Sequence, residues 1–176
     1  TVLPASAIEA PASVGDDAVS RAAALTPGSA SSIPQAALAA YQRAEAVINK
    51  ADKSCNLTWQ LVAAIGRVES NHGRTGGSVL DNDGVATPGI YGVPLNGRNG
   101  TQAISDTDAG QLDDDQRWDR AVGPMQFIPS TWAAYGLGGD ISDPRDAILG
   151  AANYLHANGA PGDEARALHA YNPSRL

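Results

Sequence analysis

A chain of 176 residues, 43% hydrophobic and 18% charged, is long enough for one domain with a real core and leaves room for a tail. Its net charge of −7 and pI near 4.7 exclude the clustered Lys and Arg that nucleic acid or an anionic membrane surface demands. No apolar run approaches the ~18 to 20 residues of a membrane-spanning helix. The single cysteine, Cys55, rules out an internal disulfide and a Cys-x-x-Cys metal site, and reads as a small buried hydrophobe.

Residues 1–33 are rich in Ala, Ser and Pro without a sustained period, which predicts a tail or linker ahead of a domain over 34–176. No signal-peptide pattern is visible from Thr1, which fits a mature or trimmed chain as well as a cytosolic one. The first helix is predicted over 32–54, with Leu38, Tyr41, Ala44 and Ile48 on one stripe. Thr58 reads as the N-cap of a second helix, whose apolar face carries Leu61, Val62, Ile65 and Val68. Asn71, His72 and Gly73 stop it.

From Gly73 the character changes. The stretch 74–119 is dense in Gly, Asn, Asp and Thr, and so long a weakly periodic connection in a compact domain is usually functional or disordered. It has room for a short hairpin around "GIYGVPL" (89–95). Helix resumes near Pro129 and Ser130, and again after Asp143 as N-cap with Pro144 at the first position. A last helix, in "GDEARALHAYN", is stopped by Pro173. Five helices and no long alternating strand predict an all-α fold.

Glu69 is the anomaly. Counting back by four and by seven gives Ile65 and Val62, so the acid shares the core-facing side of its helix. Desolvation there, and the negative end of the helix dipole, both disfavour the carboxylate and raise its pKa, as a general acid requires. The alternative is an acid frayed out of the last turn. In "GPMQFIPSTW" (123–132), breakers flank a Met-Gln-Phe triplet. Gln126 could offer its amide to a ligand while Met125 and Phe127 supply apolar walls, or the triplet could be a plain turn.

Four blocks in order, "GRVESNHG", "AVGPMQFIPSTW", "DPRDAILGAANYL" and "ALHAYNPS", resemble the lytic murein transglycosylases of the MltB type. The likeness covers about 34–175 and looks closest to the secreted actinobacterial members. It implies a lysozyme-like helical fold with a glycan groove and an extracytoplasmic site of action. It also implies cleavage of the β-1,4 bond between N-acetylmuramic acid and N-acetylglucosamine in peptidoglycan, leaving a 1,6-anhydro end without a cofactor. Glu69 matches the single catalytic acid, and Ser70 the serine that follows it. Met125, Gln126 and Phe127 match groove residues, while Tyr171 and Asn172 match the pair that closes the site. Tyr91 and Trp118 are candidate sugar-facing aromatics in the long loop. A non-catalytic glycan-binding protein and a water-using muramidase of the same fold stay open; the latter needs a second carboxylate, which no other apolar setting supplies. The chain is expected to act as a monomer.

Asp106, Asp108, Asp113 and Asp115 invite a calcium reading. An EF-hand loop opening at Asp106 would place Gly110 and Arg117 where oxygen ligands belong, so a turn-forming loop without metal is expected. His72, His156 and His169 have no zinc-binding spacing.

Overall fold

The computed structural model describes residues 32–81 and 84–172. The N-terminal tail up to residue 31, and the stop at Pro173, lie outside the described residues.

The five expected helices are present: α1 (Gln35–Ala51), α2 (Trp59–Ser70), α3 (Pro129–Tyr135), α4 (Pro144–Ala157) and α5 (Glu164–Tyr171). The domain is mostly helical and lysozyme-like, with one small antiparallel pair, β1 (Val79–Leu80) and β2 (Ala86–Thr87). None of its described helices is long and apolar enough to cross a membrane.

Helix α4 is the hub, packed against α1, α2, α3 and α5. It can be so enclosed because Ala147, Gly150, Ala151 and Ala152 let neighbours approach, while Ile148, Tyr154 and Leu155 fill the space between them. On α1 the buried stripe is Ala37, Ala40, Tyr41, Ala44 and Ile48, with Leu38 only partly covered. Asp143 and Asp163 cap α4 and α5 with their side chains, accepting the N–H of Arg145 and Arg166. Thr58 makes no such bond. The carboxylate of Glu45, on α1, takes the first N–H of α2 at 2.5 Å instead and ties the two helices together.

The expected hairpin at 89–95 is replaced by different pairing. The hairpin forms earlier, with Val79 opposite Thr87, whereas Tyr91 bridges Val122, and Val122 in turn bridges Phe127. Further on, Leu95 N–H donates to the carbonyl of Asp119, and Ile104 N–H to that of Leu95. The 90–106 part of the long loop is therefore a backbone-bonded layer laid against the 117–127 segment. Long-range pairing satisfies its polar backbone where local strands would have been too short.

Candidate active site

Glu69 sits in the last turn of α2 and is only 5% exposed. Its Oε2 is buried and has no hydrogen-bond partner. Burial drives the carboxyl pKa well above its ordinary value, which favours the protonated form. In that form Oε2 can donate, and no described residue stands as its acceptor.

The helix ends abruptly beyond it. Asn71, His72 and Gly73 have φ of 51°, 59° and 82°, three successive left-handed residues of which only the last is glycine. Asn71 is held there by Arg67 and Arg74, which both donate to its Oδ1. His72 folds back under the helix, its N–H donating to the carbonyl of Gly66 at 2.9 Å. The imidazole is 2% exposed, and its Nδ1 shares a hydrogen bond of 2.9 Å with the hydroxyl of Tyr41. Burial, with Arg74 and Arg67 adding to it, pushes the His72 pKa down to about 4. The ring is neutral at physiological pH, and its Nε2 is buried without a partner.

Ser70, wholly buried, joins this turn to the Met-Gln-Phe block. Its hydroxyl donates to the carbonyl of Pro124 at 2.6 Å and accepts the N–H of Gly73 at 2.7 Å. The block itself is a tight reversal, with Val122 and Phe127 exchanging backbone bonds of 2.8 and 3.1 Å. Gly123 is required at its start: its φ is +79°, and a Cβ there would stand 2.1 Å from the carbonyl oxygen of Ile141. Gln126 occupies the left-handed region at φ 53°, is 4% exposed, and turns its Nε2 back onto the carbonyl of Gly123 at 2.9 Å. A non-glycine residue held there marks a place where the fold tolerates local strain.

Met125 and Phe127 are fully buried, so they back the site from within the core. The Tyr171 hydroxyl donates to the carbonyl of Met125 at 2.8 Å, which fastens the end of α5 to the block. Burial raises the Tyr171 pKa well above its ordinary value. Asn172 follows it, 8% exposed, with its N–H on the carbonyl of Leu168. Tyr91 is 52% exposed and stands beside the block through its bridge to Val122. Gly92 lies against Gln126, where a Cβ would come within 3.3 Å of its Oε1. Trp118 is half-buried in the loop, where its backbone bridges Ser105.

The fold thus gathers the end of α2, the 122–127 reversal and the end of α5 into one place. Among the residues it draws in, Tyr41, Gly66 and His72 were not picked out from the sequence as part of the site. A Cβ on Gly66 would fall 2.0 Å from the Tyr41 hydroxyl, so glycine is what lets that phenol cross α2 toward His72. Its signal was available, since a glycine in mid-helix destabilises the helix unless something passes close by.

In the acidic loop, Asp106, Asp108 and Asp119 bring carboxylate oxygens within 4.8 Å of one another and could share a cation. Those carboxylates also accept the N–H groups of Thr107, Asp108, Gly110 and Leu112, as turn-forming aspartates do. Asp113 and Asp115, grouped with them by sequence, serve elsewhere: Asp113 takes the N–H of Arg120, and Asp115 pairs with the Arg120 guanidinium at 3.1 Å. Asp119 is fully buried and its pKa is raised, by desolvation first.

Residues 29–175 match the family model described as the transglycosylase SLT domain. No curated protein and no solved structure matches the chain.

Proposed function

The chain belongs to the transglycosylase SLT domain family, a family of lytic transglycosylases of peptidoglycan, and from that premise we propose an MltB-type enzyme in which Glu69 is the single catalytic acid and base. The observation that carries this reading is the Glu69 carboxyl: 5% exposed, with its Oε2 unpartnered and its pKa raised by burial. An isolated, protonated acid at a helix end is what protonation of a glycosidic oxygen requires.

The bond cleaved is the β-1,4 linkage between N-acetylmuramic acid and N-acetylglucosamine. Glu69 gives its proton to the leaving oxygen, and the C–O bond at C1 of the muramic acid breaks. The substrate's own N-acetyl group stabilises the cationic carbon. The Glu69 carboxylate then removes the proton of the C6 hydroxyl, whose oxygen bonds to C1 and closes a 1,6-anhydro ring. The nucleophile is part of the substrate, so effective molarity replaces a second carboxylate. Gln126 and Asn172 orient the sugar by hydrogen bonding, Tyr91 offers an exposed ring to it, and Ser70, Met125, Phe127 and Tyr171 hold these groups in place. The enzyme acts as a monomer on glycan strands, outside the cytoplasm where those strands lie.

Mass spectrometry of the soluble products from purified peptidoglycan tests the reading, with wild type and Glu69→Gln side by side. Anhydro products, one water lighter than those of a hydrolase, are expected from wild type alone. Products of hydrolytic mass would mean a water-using muramidase. Binding without products would mean a glycan-binding module.

A further inference from the structure

A second cluster of reactive side chains lies just ahead of the N-terminus of α2, at the far end of that helix from Glu69. Cys55 Sγ lies 3.1 Å from Nδ1 of His156, in the last turn of α4. On the other side of the ring, Nε2 lies 3.4 Å from Oδ2 of Asp52, the C-cap of α1. Asp52 is itself held: its Oδ1 accepts both the N–H and the O–H of Ser54, at 2.9 and 2.6 Å. These bonds keep its carboxyl below the usual range and therefore anionic.

The order is thiol, imidazole, carboxylate. A carboxylate on Nε2 selects the tautomer with its proton there, and leaves the Nδ1 lone pair facing the sulfur. The other acceptor near the thiol, the carbonyl of Ala160, is farther away at 3.8 Å. The cluster opens onto a pocket of about 430 Å³, lined by Cys55 and His156 together with Asn56, Gly159, Ala160 and Pro161. That is room for a small molecule.

We propose that Cys55, His156 and Asp52 form a thiol-exchange site that takes low-molecular-weight disulfides. His156 removes the thiol proton as the Cys55 sulfur attacks one sulfur of the ligand. The ligand's S–S bond breaks, a mixed disulfide forms on Cys55, and the departing thiolate leaves with the proton from His156. One thiol and one disulfide enter, and one disulfide and one thiol result. Nothing in this step involves the glycan site.

The test uses the folded full chain with dithiodipyridine as the disulfide, following thiopyridone release and locating the adduct by mass. Wild type should label at Cys55 with a rate proportional to disulfide concentration. His156→Gln should label at least ~10-fold more slowly at neutral pH, within the range general-base assistance supplies. The gap should narrow in alkaline solution, where a thiol ionises unaided. Asp52→Asn should fall between the two, and it carries the test should His156→Gln fail to fold. Cys55→Ser should abolish labelling and leave glycan cleavage unchanged. Equal rates in wild type and the folded variants would overturn the proposal. So would a wild-type rate that does not depend on disulfide concentration, because labelling would then await unfolding.

Discussion

Ser70 and Pro124 are joined by a hydrogen bond of 2.6 Å, from the hydroxyl of the residue after Glu69 to the carbonyl of the reversal that carries Gln126. The same hydroxyl receives the N–H of Gly73 at 2.7 Å. One buried oxygen thus links the end of α2, the backward turn after it and the 122–127 segment. The placement of Gln126 relative to the helix end that carries Glu69 depends on that link.

Ser70→Ala should therefore cost more in activity than in structure. Leaving a buried carbonyl and an N–H unpaired is worth ~1 to 3 kcal/mol. We expect a lower melting temperature, and a fall in kcat larger than the change in KM, because the reversal can drift from Glu69 while still binding glycan. A variant with unchanged kcat would show that the link does not set the geometry of the site.

Glu69→Gln should remove activity by a factor on the order of 10² to 10⁴ and make the domain more stable. The sign follows from the raised carboxyl pKa. A group that binds its proton more tightly when folded favours the fold while protonated, and that advantage is lost as pH rises from the ordinary carboxyl value, 4.5, through the folded one. Urea titrations from pH 4.5 upward should show wild type losing stability that Glu69→Gln retains. Wild-type activity should decline as pH rises through the folded value.

His72 gives a dependence of the opposite slope. Its pKa falls from 6.5 to about 4 on folding, so the unfolded chain takes up the proton first as solution is acidified. The linked stability is intact above pH 6.5 and is lost progressively down to about 4, by at most about 3 kcal/mol. His72→Asn suits the left-handed backbone, and its stability profile should be flatter across that window.

Gly66→Ala tests the crossing of Tyr41 over α2. The added methyl would meet the phenolic oxygen at 2.0 Å and the Met125 sulfur at 3.3 Å. Overpacking of this kind costs ~1 to 3 kcal/mol, although alanine is the better helix former. Loss of melting temperature with reduced activity is expected, and a stabilised, fully active variant would contradict it.

Gln126→Gly separates strain from recognition. Glycine adopts φ near 53° without penalty, and that relief offsets part of the ~1 to 3 kcal/mol expected from losing the buried amide and its bond to Gly123. Losing the amide should weaken glycan binding by about tenfold, the worth of one good hydrogen bond. Isothermal titration with a non-cleaved oligosaccharide would measure it.

The helices could be read from the sequence because their determinants are local: the stripe through Tyr41, Ala44 and Ile48, and the cap at Asp143. Where an element depends on a distant partner, the reading stopped short. Glu45, thirteen residues before Thr58, is what caps α2. The loop pairing of Tyr91 with Val122 joins single residues, too few for alternation to show. At the site, Glu69 stood out because a charge broke an apolar period. His72 did not, since its importance arises from contact with Tyr41, thirty-one positions away.

The chain has three tryptophans, five tyrosines and a single phenylalanine. Five of these nine rings, Phe127, Trp132, Tyr135, Tyr154 and Tyr171, form one contiguous, mostly edge-to-face cluster with centroids 4.9 to 6.5 Å apart, joining the reversal to α3, α4 and the end of α5. Trp59 and Trp118 stand outside it. Coupled rings held at fixed angles give near-ultraviolet circular dichroism its sign, so loss of packing around the reversal should erase much of that signal. Emission from Trp132, isolated by replacing Trp59 and Trp118 with Phe, would then act as an unlabelled probe of this one region of the fold.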